Sequence, residues 1–310
     1  MHEIYSCSYA KACYMEDRPD VISYYTSTGV KRVQFFWTEA QQKRLSELNA
    51  GDEQKEMCFL SARERDNAFK KEEHKLVNQG KQRLDKLKNE TGKPALCQLE
   101  ARLADTLTGI GFVQVTTPVI LSKNLLGKMT IDDGHALFSQ VFWLDGNKCL
   151  RPMLAPNLYY ILKDLLRLWD KPVRIFEIGS CFRKESQGNN HLNEFTMLNL
   201  VEWGLPQEQR HERIAEYAQI IMDAAGIQDF RLEQTSSVVY GDTIDIMYKD
   251  LELGSSAMGP HFLDGKWGMS GSWVGIGFGL ERLVMVKEGG QNVRSMGKSI
   301  SYLDGVRLNI

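Results

Sequence analysis

The chain has 310 residues, 43% hydrophobic and 25% charged, with a formal net charge of −2. These values favour a globular protein with a substantial core, and any nucleic-acid partner would have to meet a local basic patch. No apolar run approaches the roughly 20 residues of a membrane span and no secretory signal is present, which predicts a cytoplasmic protein with no membrane partner. The six cysteines and six histidines show no metal-ligand spacing.

The N-terminal part of the chain is predicted to be an appendage followed by a helical region. Residues 1–34 are rich in tyrosine and lack a helical period, which predicts strands and loops of unknown role. Residues 35–93 are predicted to hold a short helix after Thr38 and a longer one over 61–88. The segment 63–93 has ten Lys/Arg against six Asp/Glu. A solvated helix face is the ordinary interpretation of such a segment, and RNA binding is the alternative.

Residues 94–310 are predicted to form one α+β domain. Apolar residues at three- and four-residue steps predict helices after Pro94 and over 155–169 and 207–225. The other periodic segments alternate in the manner of strands, without a regular strand–helix–strand order. We therefore expect a mainly antiparallel sheet flanked by helices.

The strands of this domain are predicted from short β-rich runs between turn residues. A strand over 112–119 contains Pro118, which is expected at a strand end or on an edge strand, because proline cannot donate to a ladder. A hairpin over 141–150 is expected to turn at Asp145 and Gly146. The remaining strands are predicted over 173–184, 194–202, 237–247, 251–255 and 273–278.

Two motifs indicate what the protein binds, and they are CFRKE at 181–185 and GIGFGLER at 275–282. Alternate glycines let a backbone approach a ligand closely, and paired arginines indicate phosphates. A Rossmann fingerprint is excluded because Leu280 occupies the third glycine position and the motif lies near the C-terminus. A P-loop is absent from the sequence as well. Any nucleotide must then be held by side chains on a sheet.

Five side chains acquire consistent roles in binding a nucleoside triphosphate. Arg183 would contact an α-phosphate, where charge develops as pyrophosphate leaves, and Arg282 would hold the far phosphates or cover the adenine. Glu252 and Ser255 offer oxygen ligands for Mg²⁺. Phe195 would stack on the base. Each residue alone is better explained as a surface ion pair, a solvated acid or a core aromatic, but the set, taken in this order and on strands, is not.

The order of these motifs resembles motifs 1, 2 and 3 of the class II aminoacyl-tRNA synthetases. The strings LRPMLAPNLYYIL, RIFEIGSCFRKES, DLELGSSAMGP and SYLDGVRLN further resemble the catalytic domain of the pyrrolysyl-tRNA synthetase family, in its bacterial type with a separate catalytic polypeptide. The resemblance runs from about residue 35 to residue 310. It implies a class II synthetase catalytic domain over 94–310, a helical tRNA-binding region over 35–93, and an uncovered appendage over 1–34.

The resemblance also implies the site residues. Glu185, His191 and Leu192 would contact adenine beside Phe195, and the glycines of the last motif would lie under the nucleotide. The implied ATP-binding set is Arg183, Glu185, His191, Leu192, Phe195, Glu252, Ser255, Gly275, Gly277, Gly279 and Arg282, with Arg183 and Arg282 as catalytic residues. The implied amino-acid pocket is Ala155, Leu158, Tyr159, Leu162, Asn199, Val201, Tyr240, Ala257 and Trp273.

The character of this pocket suits a long and mostly apolar side chain. Asn199 is its polar member, and strand alternation puts it on one face with Met197 and Val201. Its amide would bind the amide linkage of pyrrolysine, and Tyr240 would bind the α-amino end. Val201 stands where archaeal relatives typically have cysteine, and Ala257 where they have a bulkier valine. The pocket is therefore expected to differ in shape from theirs.

The implied activity is ligation of pyrrolysine, or a related lysine derivative, to its tRNA. ATP is a substrate and Mg²⁺ accompanies it, and catalysis rests on positioning and electrostatics without a protein nucleophile. The implied partners are the tRNA, the amino acid, a second copy of the chain and a separate N-terminal-domain protein. Arg44, Lys81 and Arg83 are the expected tRNA contacts on the basic helices.

Two other functions remain open from the sequence. A class II synthetase-like paralogue could activate another amino acid without charging tRNA, and it would share the second and third motifs. A catalytically silent paralogue could bind only RNA or a partner, although the intact Arg183, Glu252, Ser255 and Arg282 argue against that alternative.

Overall fold

The computed structural model describes residues 13–14, 19–25, 31–184, 192–290 and 292–310. Its strands are β1 (Cys13–Tyr14), β2 (Val21–Tyr25), β3 (Lys31–Phe35), β4 (Val113–Gln114), β5 (Ile120–Ser122), β6 (Lys148–Leu150), β7 (Val173–Phe182), β8 (Glu194–Trp203), β9 (Arg231–Ser237), β10 (Gly241–Tyr248), β11 (Leu251–Gly259), β12 (Trp273–Gly279), β13 (Tyr302–Leu303) and β14 (Val306–Arg307). Its helices are α1 (Glu39–Glu47), α2 (Asp52–Lys55), α3 (Ala62–Lys86), α4 (Ala95–Gly109), α5 (Lys123–Lys128), α6 (Ala155–Leu168), α7 (Arg210–Ala225), α8 (Phe262–Lys266), α9 (Leu280–Lys287) and α10 (Val293–Met296). None of the helices in these ranges combines the length and apolar character that crossing a bilayer requires.

The described residues fall into two compact units. The first contains those up to Thr91 together with Gly305–Ile310, and the second contains Gly92–Asp304. In the first unit, β1, β2 and β3 form an antiparallel sheet, and Trp37 and Leu45 belong to a small apolar core. The last six residues thus group with the first unit, whereas the sequence division kept them in the catalytic part. The roles given to the sequence-defined domains stay predictions.

The helices of the second unit follow the apolar periods of the sequence. α4 begins after Pro94, and its four leucines at 96, 99, 103 and 107 are all buried. α7 ends at Gly226, whose φ of 73° is left-handed and suits a residue without a side chain. Because these helices bury one stripe each, they cover one face of the sheet.

The central sheet has seven strands in the order β4-β7-β8-β12-β11-β10-β9. Every neighbouring pair is antiparallel except β4 and β7, which are parallel. The predicted α+β fold with a mainly antiparallel sheet is therefore confirmed. The expected edge strand is present but has only two residues, and Pro118 lies beyond its end.

Strand alternation gives the sheet an apolar face and a ligand-sized opening on the other face. On β12, Val274, Ile276 and Phe278 enter the core beneath α4, α7 and α9. The alternate positions are Trp273, Gly275, Gly277 and Gly279. On the neighbouring β8, Asn199 pairs with Gly277 and Val201 pairs with Gly275. The glycines leave space on this face because they carry no side chains.

Two predicted strands differ from the structure. In the expected hairpin over 141–150, the segment β6 forms its ladder with β5, and only a single bridge joins Trp143 to Cys149. The predicted strand over 237–247 corresponds to β10, which begins only at Gly241, and the strand before it, β9, was not predicted. β9 alternates weakly and is mostly exposed, so it has little of the apolar period that marks a buried strand.

Candidate active site

One cavity of about 520 Å³ lies on the glycine-bearing face of the central sheet. It brings together every predicted ATP and amino-acid residue that the structure describes. These are Ala155, Leu158, Tyr159, Leu162, Arg183, Leu192, Phe195, Asn199, Val201, Tyr240, Glu252, Ser255, Ala257, Trp273, Gly275, Gly277, Gly279 and Arg282. Glu185 and His191 lie outside the described residues. The individual roles of all these residues, in the cavity and outside the described ranges, stay predictions.

Two arginines from distant strands define one end of this cavity, which we call the nucleotide end. Arg183 follows β7, its Nε donates to the carbonyl oxygen of Pro152 at 2.9 Å, and its guanidinium lies 5.3 Å from the ring centroid of Phe195. Arg282 lies in the first turn of α9 and donates to the carbonyl oxygen of Glu252 at 2.8 Å. Both side chains are only partly buried, so an anionic ligand in the cavity can contact their guanidinium groups.

A bulge in β11 brings the two predicted magnesium ligands to the same cavity. Residues three apart on a regular strand lie on opposite faces. Here Gly254 pairs with Ile246 while Glu252 pairs with Met247, so Leu253 is an extra residue that resets the alternation. Glu252 and Ser255 consequently both line the cavity.

The chemistry of these two ligands fits a hard cation that arrives with a polyphosphate. A carboxylate and a hydroxyl are oxygen donors, and Mg²⁺ is usually bound by one or two protein oxygens plus phosphates and water. Within the described ranges, no group of three or more His, Cys, Asp or Glu residues forms a metal site of its own. The carboxylate of Glu252 also lies 3.9 Å from Arg282, which keeps an opposite charge beside it.

A buried carboxylate supports the nucleotide end from behind. Glu281 is 2% exposed, and its two oxygens accept from the backbone N–H of Thr196 at 2.8 and 3.0 Å. Burial raises its pKa to about 7. Glu281 precedes Arg282 and Thr196 follows Phe195, so this contact ties together the two segments that carry them. The sequence analysis missed this function for Glu281, although it lies within the motif GIGFGLER.

The cavity floor depends on the missing side chain of Gly277. A Cβ there would lie 3.0 Å from the amide oxygen of Asn199 and 3.3 Å from the methyl carbon of Met197. Gly277 also pairs with Ser255 on its other side. A row of Asn199, Gly277 and Ser255 therefore crosses three strands, with open space above its centre.

The other end of the cavity, which we call the amino-acid end, contains an unpartnered polar atom. Asn199 Oδ1 is buried and accepts no hydrogen bond from the described residues. A buried amide without a partner costs free energy, so this atom indicates a ligand donor. Leu158, Leu162 and Val201 line the same end and are buried. The arrangement suits an apolar chain carrying one amide group.

Aromatic rings form the walls of the amino-acid end. Tyr159 and Trp273 meet edge to face with ring centroids 5.9 Å apart, and Tyr240 meets Trp273 at 6.3 Å. Trp203 stacks on Trp273 at 5.9 Å. Behind the walls, the buried carboxylate of Asp264 accepts from the Tyr159 hydroxyl and from the Trp273 indole.

Asp264 and Trp203 are site residues that the sequence analysis missed. A signal for the first exists in the string HFLD, because a polar residue followed three positions later by an acid is a capping box at a helix start. That pattern predicts a helix cap and carries no information about Tyr159, which lies more than a hundred positions away. The contact could be found only from the fold.

The expected tRNA contacts lie in the first unit, outside this cavity. Arg44 is partly buried and pairs with Glu73 at 2.8 Å and with Glu47 at 3.7 Å, so its charge is largely engaged. Lys81 is exposed and Arg83 is half-buried on α3. Their contact with RNA stays a prediction.

The mainly antiparallel sheet, with Arg183 after β7 and Arg282 in α9, defines the catalytic domain of a class II aminoacyl-tRNA synthetase. Residues 81–258 match the family model described as the phenylalanyl-tRNA synthetase beta chain CLM domain. A crystal structure of pyrrolysyl-tRNA synthetase from Desulfitobacterium hafniense is similar, with a TM-score of 0.86 and 62% sequence identity, covering 89% of this chain and 99% of that one. The chain therefore belongs to the pyrrolysyl-tRNA synthetase family.

More distant curated relatives match over shorter segments. A threonine–tRNA ligase from Wolbachia pipientis is 31% identical over 100 residues, which is 30% of this chain and 15% of that protein. An elongation factor P (R)-beta-lysine ligase from Haemophilus influenzae is 34% identical over 118 residues, or 37% of this chain and 33% of that protein. This chain thus matches at most a third of these relatives' length.

Proposed function

We propose that this protein activates pyrrolysine, or a related lysine derivative, with ATP and transfers it to the cognate tRNA. The observation that carries the proposal is a single cavity with two chemically distinct ends. Paired arginines and Phe195 line one end, and an apolar pocket with the unpartnered oxygen of Asn199 lines the other. The likeness to a pyrrolysyl-tRNA synthetase over nearly its whole length supports the choice of amino acid.

In the first step the carboxylate of the amino acid attacks the α-phosphorus of ATP. A bond forms from the carboxylate oxygen to phosphorus, and the bond from phosphorus to the bridging oxygen breaks, so that pyrophosphate leaves with its electron pair. Arg183 stabilises the charge that develops at the α-phosphate, and Arg282 holds the departing phosphates. A magnesium ion bound by Glu252 and Ser255 would add positive charge at the polyphosphate.

In the second step the terminal ribose hydroxyl of the tRNA attacks the carbonyl carbon of the adenylate. An ester bond forms, AMP leaves, and the hydroxyl proton passes to the AMP phosphate or to solvent. The protein supplies no nucleophile in either step. Its contribution is to hold the reacting groups in line and to exclude water from the amino-acid end.

The amide of Asn199 would recognise the linkage that distinguishes pyrrolysine from lysine. Its Oδ1, which has no donor among the described residues, would accept from the N–H of that linkage, and its Nδ2 would donate to the carbonyl. Apolar surface from Leu158, Leu162 and Val201 would surround the remainder of the side chain.

The proposal includes a homodimer of this chain. Val113 in β4, Val119, and Ile120 in β5 are apolar and 46%, 37% and 52% exposed, which supports a homodimer contact through this segment. Sedimentation of wild type and Ile120→Lys tests this contact, with a monomer expected for the variant.

The proposal also includes a cytoplasmic location, which is supported by transfer to tRNA, because translation occurs there. A separate N-terminal-domain protein is part of the proposal through the family resemblance alone.

A second candidate is activation of another amino acid for transfer to a protein, supported by the likeness to the elongation factor P (R)-beta-lysine ligase. One experiment separates the two candidates. ATP–pyrophosphate exchange is measured with pyrrolysine, simple Nε-acyl-lysines, β-lysine and the standard amino acids, followed by transfer to the cognate tRNA. We expect ATP–pyrophosphate exchange with pyrrolysine, and we expect pyrrolysine to be transferred to the tRNA. Exchange with β-lysine alone would favour the second candidate.

A further inference from the structure

Asp264 is a buried carboxylate whose partners are walls of the amino-acid end. It is 3% exposed and lies in the first turn of α8. Its Oδ1 accepts from the Tyr159 hydroxyl at 3.1 Å, and its two oxygens accept from Trp273 Nε1 at 3.1 and 3.0 Å. The Tyr159 hydroxyl and the indole N–H are thereby occupied behind the cavity wall.

Asp264 is also connected, through His261, to Tyr240, which is a third wall residue of the amino-acid end. Asp264 Oδ2 accepts from the backbone N–H of His261 at 2.7 Å, and the His261 ring lies with Nε2 2.9 Å from the carbonyl oxygen of Tyr240. The His261 and Tyr240 ring centroids are 5.5 Å apart. Tyr240 ends the turn between β9 and β10, so this contact fixes the backbone from which its ring extends.

The charge of Asp264 is balanced by hydrogen bonds from neutral groups. Within the described part of the chain, no ion pair joins it to a lysine, arginine or histidine. Burial raises the pKa values of Tyr159 and Tyr240, and the nearby Asp264 charge raises both further. A buried charge without a cation is costly unless several well-placed donors satisfy it. Two of its three donors, Tyr159 and Trp273, are side chains that shape the cavity, and the third is the backbone N–H of His261.

We propose that Asp264 is a positioning residue that sets the amino-acid specificity of this site by fixing the orientations of Tyr159 and Trp273. The inference rests on the proposed function and deepens it. Two rings held by one carboxylate form walls at a fixed separation, which admits a side chain of one shape and length. Without the carboxylate, each ring gains rotational freedom and the pocket accepts shorter or differently branched Nε-acyl groups.

The test is Asp264→Asn, which keeps the size but leaves one acceptor oxygen where Tyr159, Trp273 and the His261 N–H now share two. We expect the KM for pyrrolysine to rise by about tenfold, the usual cost of a hydrogen bond to a charged group, while the KM for ATP stays within about twofold. Discrimination between pyrrolysine and a simple Nε-acyl-lysine should fall. Asp229→Asn, an exposed acid outside the cavity, is the matched control.

A double-mutant cycle with Tyr159→Phe asks whether the carboxylate acts through the ring. Both changes act on the hydrogen bond between Tyr159 and residue 264, so their combined effect on KM should be smaller than the product of the separate effects. Independent, multiplying effects would overturn the proposal. If Asp264→Asn fails to fold, Tyr159→Phe alone decides. It loses only a hydroxyl aimed at Asp264, and an unchanged amino-acid KM and specificity in that variant would also overturn the proposal.

A spectroscopic measurement tests the positioning without any substrate. Trp203 and Trp273 are stacked with planes 15° apart, an arrangement that gives coupled indole transitions in circular dichroism. Trp203→Phe identifies the signal. We expect Asp264→Asn to weaken it in a folded protein, and an intact signal with intact specificity would refute the positioning role. If wild-type protein does not activate pyrrolysine, the proposed function fails, yet this measurement still tests Asp264.

Discussion

The two ends of the cavity are built from different kinds of interaction. At the nucleotide end, partly exposed arginines and Glu252 present charge to the opening, and Glu281 behind them accepts from a single backbone N–H. At the amino-acid end, the walls are buried or half-buried rings, and Asp264 behind them accepts from two side chains of the wall itself. On the proposed function, nucleotide binding would depend on charge placed by the backbone. Amino-acid recognition depends on side chains oriented by one another.

This difference determines how substitutions at each end should affect activity and amino-acid specificity. A phosphate clamp works with any substrate that carries the same polyphosphate, because its chemistry is a property of two arginines. An aromatic pocket changes shape whenever one ring or its support changes, since the rings touch one another. We therefore expect substitutions at the nucleotide end to lower activity with every amino acid. Substitutions at the amino-acid end should change which amino acid is used.

The largest expected effect is at the nucleotide end, from Arg183→Ala. Removing one preorganised group that stabilises developing charge should lower ATP–pyrophosphate exchange by about 10²- to 10³-fold with every amino acid tested. Arg167→Ala is the control, because that side chain is 72% exposed on α6. Near-normal exchange in Arg183→Ala would remove the basis for assigning this end to the triphosphate.

The second prediction concerns the carboxylate behind the nucleotide end. Because burial raises the pKa of Glu281 to about 7, the folded protein binds this proton more tightly than the unfolded chain does. The stabilisation that this proton provides is fully present below about pH 4.5, the pKa of Glu281 in the unfolded chain. It is lost as the pH rises through about 7, which lowers the free energy of unfolding by about 3 kcal/mol.

Urea unfolding of wild type and Glu281→Gln from about pH 5 to about pH 8 measures this change. The variant cannot ionise and its amide oxygen can still accept from Thr196, so its stability should fall less as the pH rises. Glu212→Gln, at an exposed acid of α7, should follow the wild-type curve. Parallel curves for wild type and Glu281→Gln would show that Glu281 does not titrate in this range.

At the amino-acid end, Asn199→Ala should affect recognition without affecting the nucleotide. Loss of the amide that would bind the substrate linkage should raise the KM for pyrrolysine by about tenfold and leave the KM for ATP within about twofold. Asn147→Ala, at an exposed turn, is the matched control. Equal changes in both KM values would mean that the two ends are not separable by substitution.

The two ends also differ in how far the sequence predicts them. Arg183 and Arg282 lie in local strings whose glycines and charges indicate phosphate chemistry, and strand alternation correctly grouped Asn199 with Met197 and Val201 on one face. The β11 bulge that brings Glu252 and Ser255 together could not be predicted, because it is a change of strand pairing. Asp264 was missed for a related reason. Its partners come from α6 and β12, so only the folded chain brings them together.

The smallest expected effect leaves both ends of the cavity intact. Lys81→Glu combined with Arg83→Glu reverses charge on α3, so transfer to tRNA should weaken several-fold while ATP–pyrophosphate exchange without tRNA stays unchanged. Each lost phosphate contact should also reduce the salt dependence of tRNA binding by about one unit of slope. Lys163→Glu, an exposed lysine of α6, controls for a general change of charge. If exchange falls together with transfer, the substitutions act on the fold, and the basic face of α3 is a solvated surface.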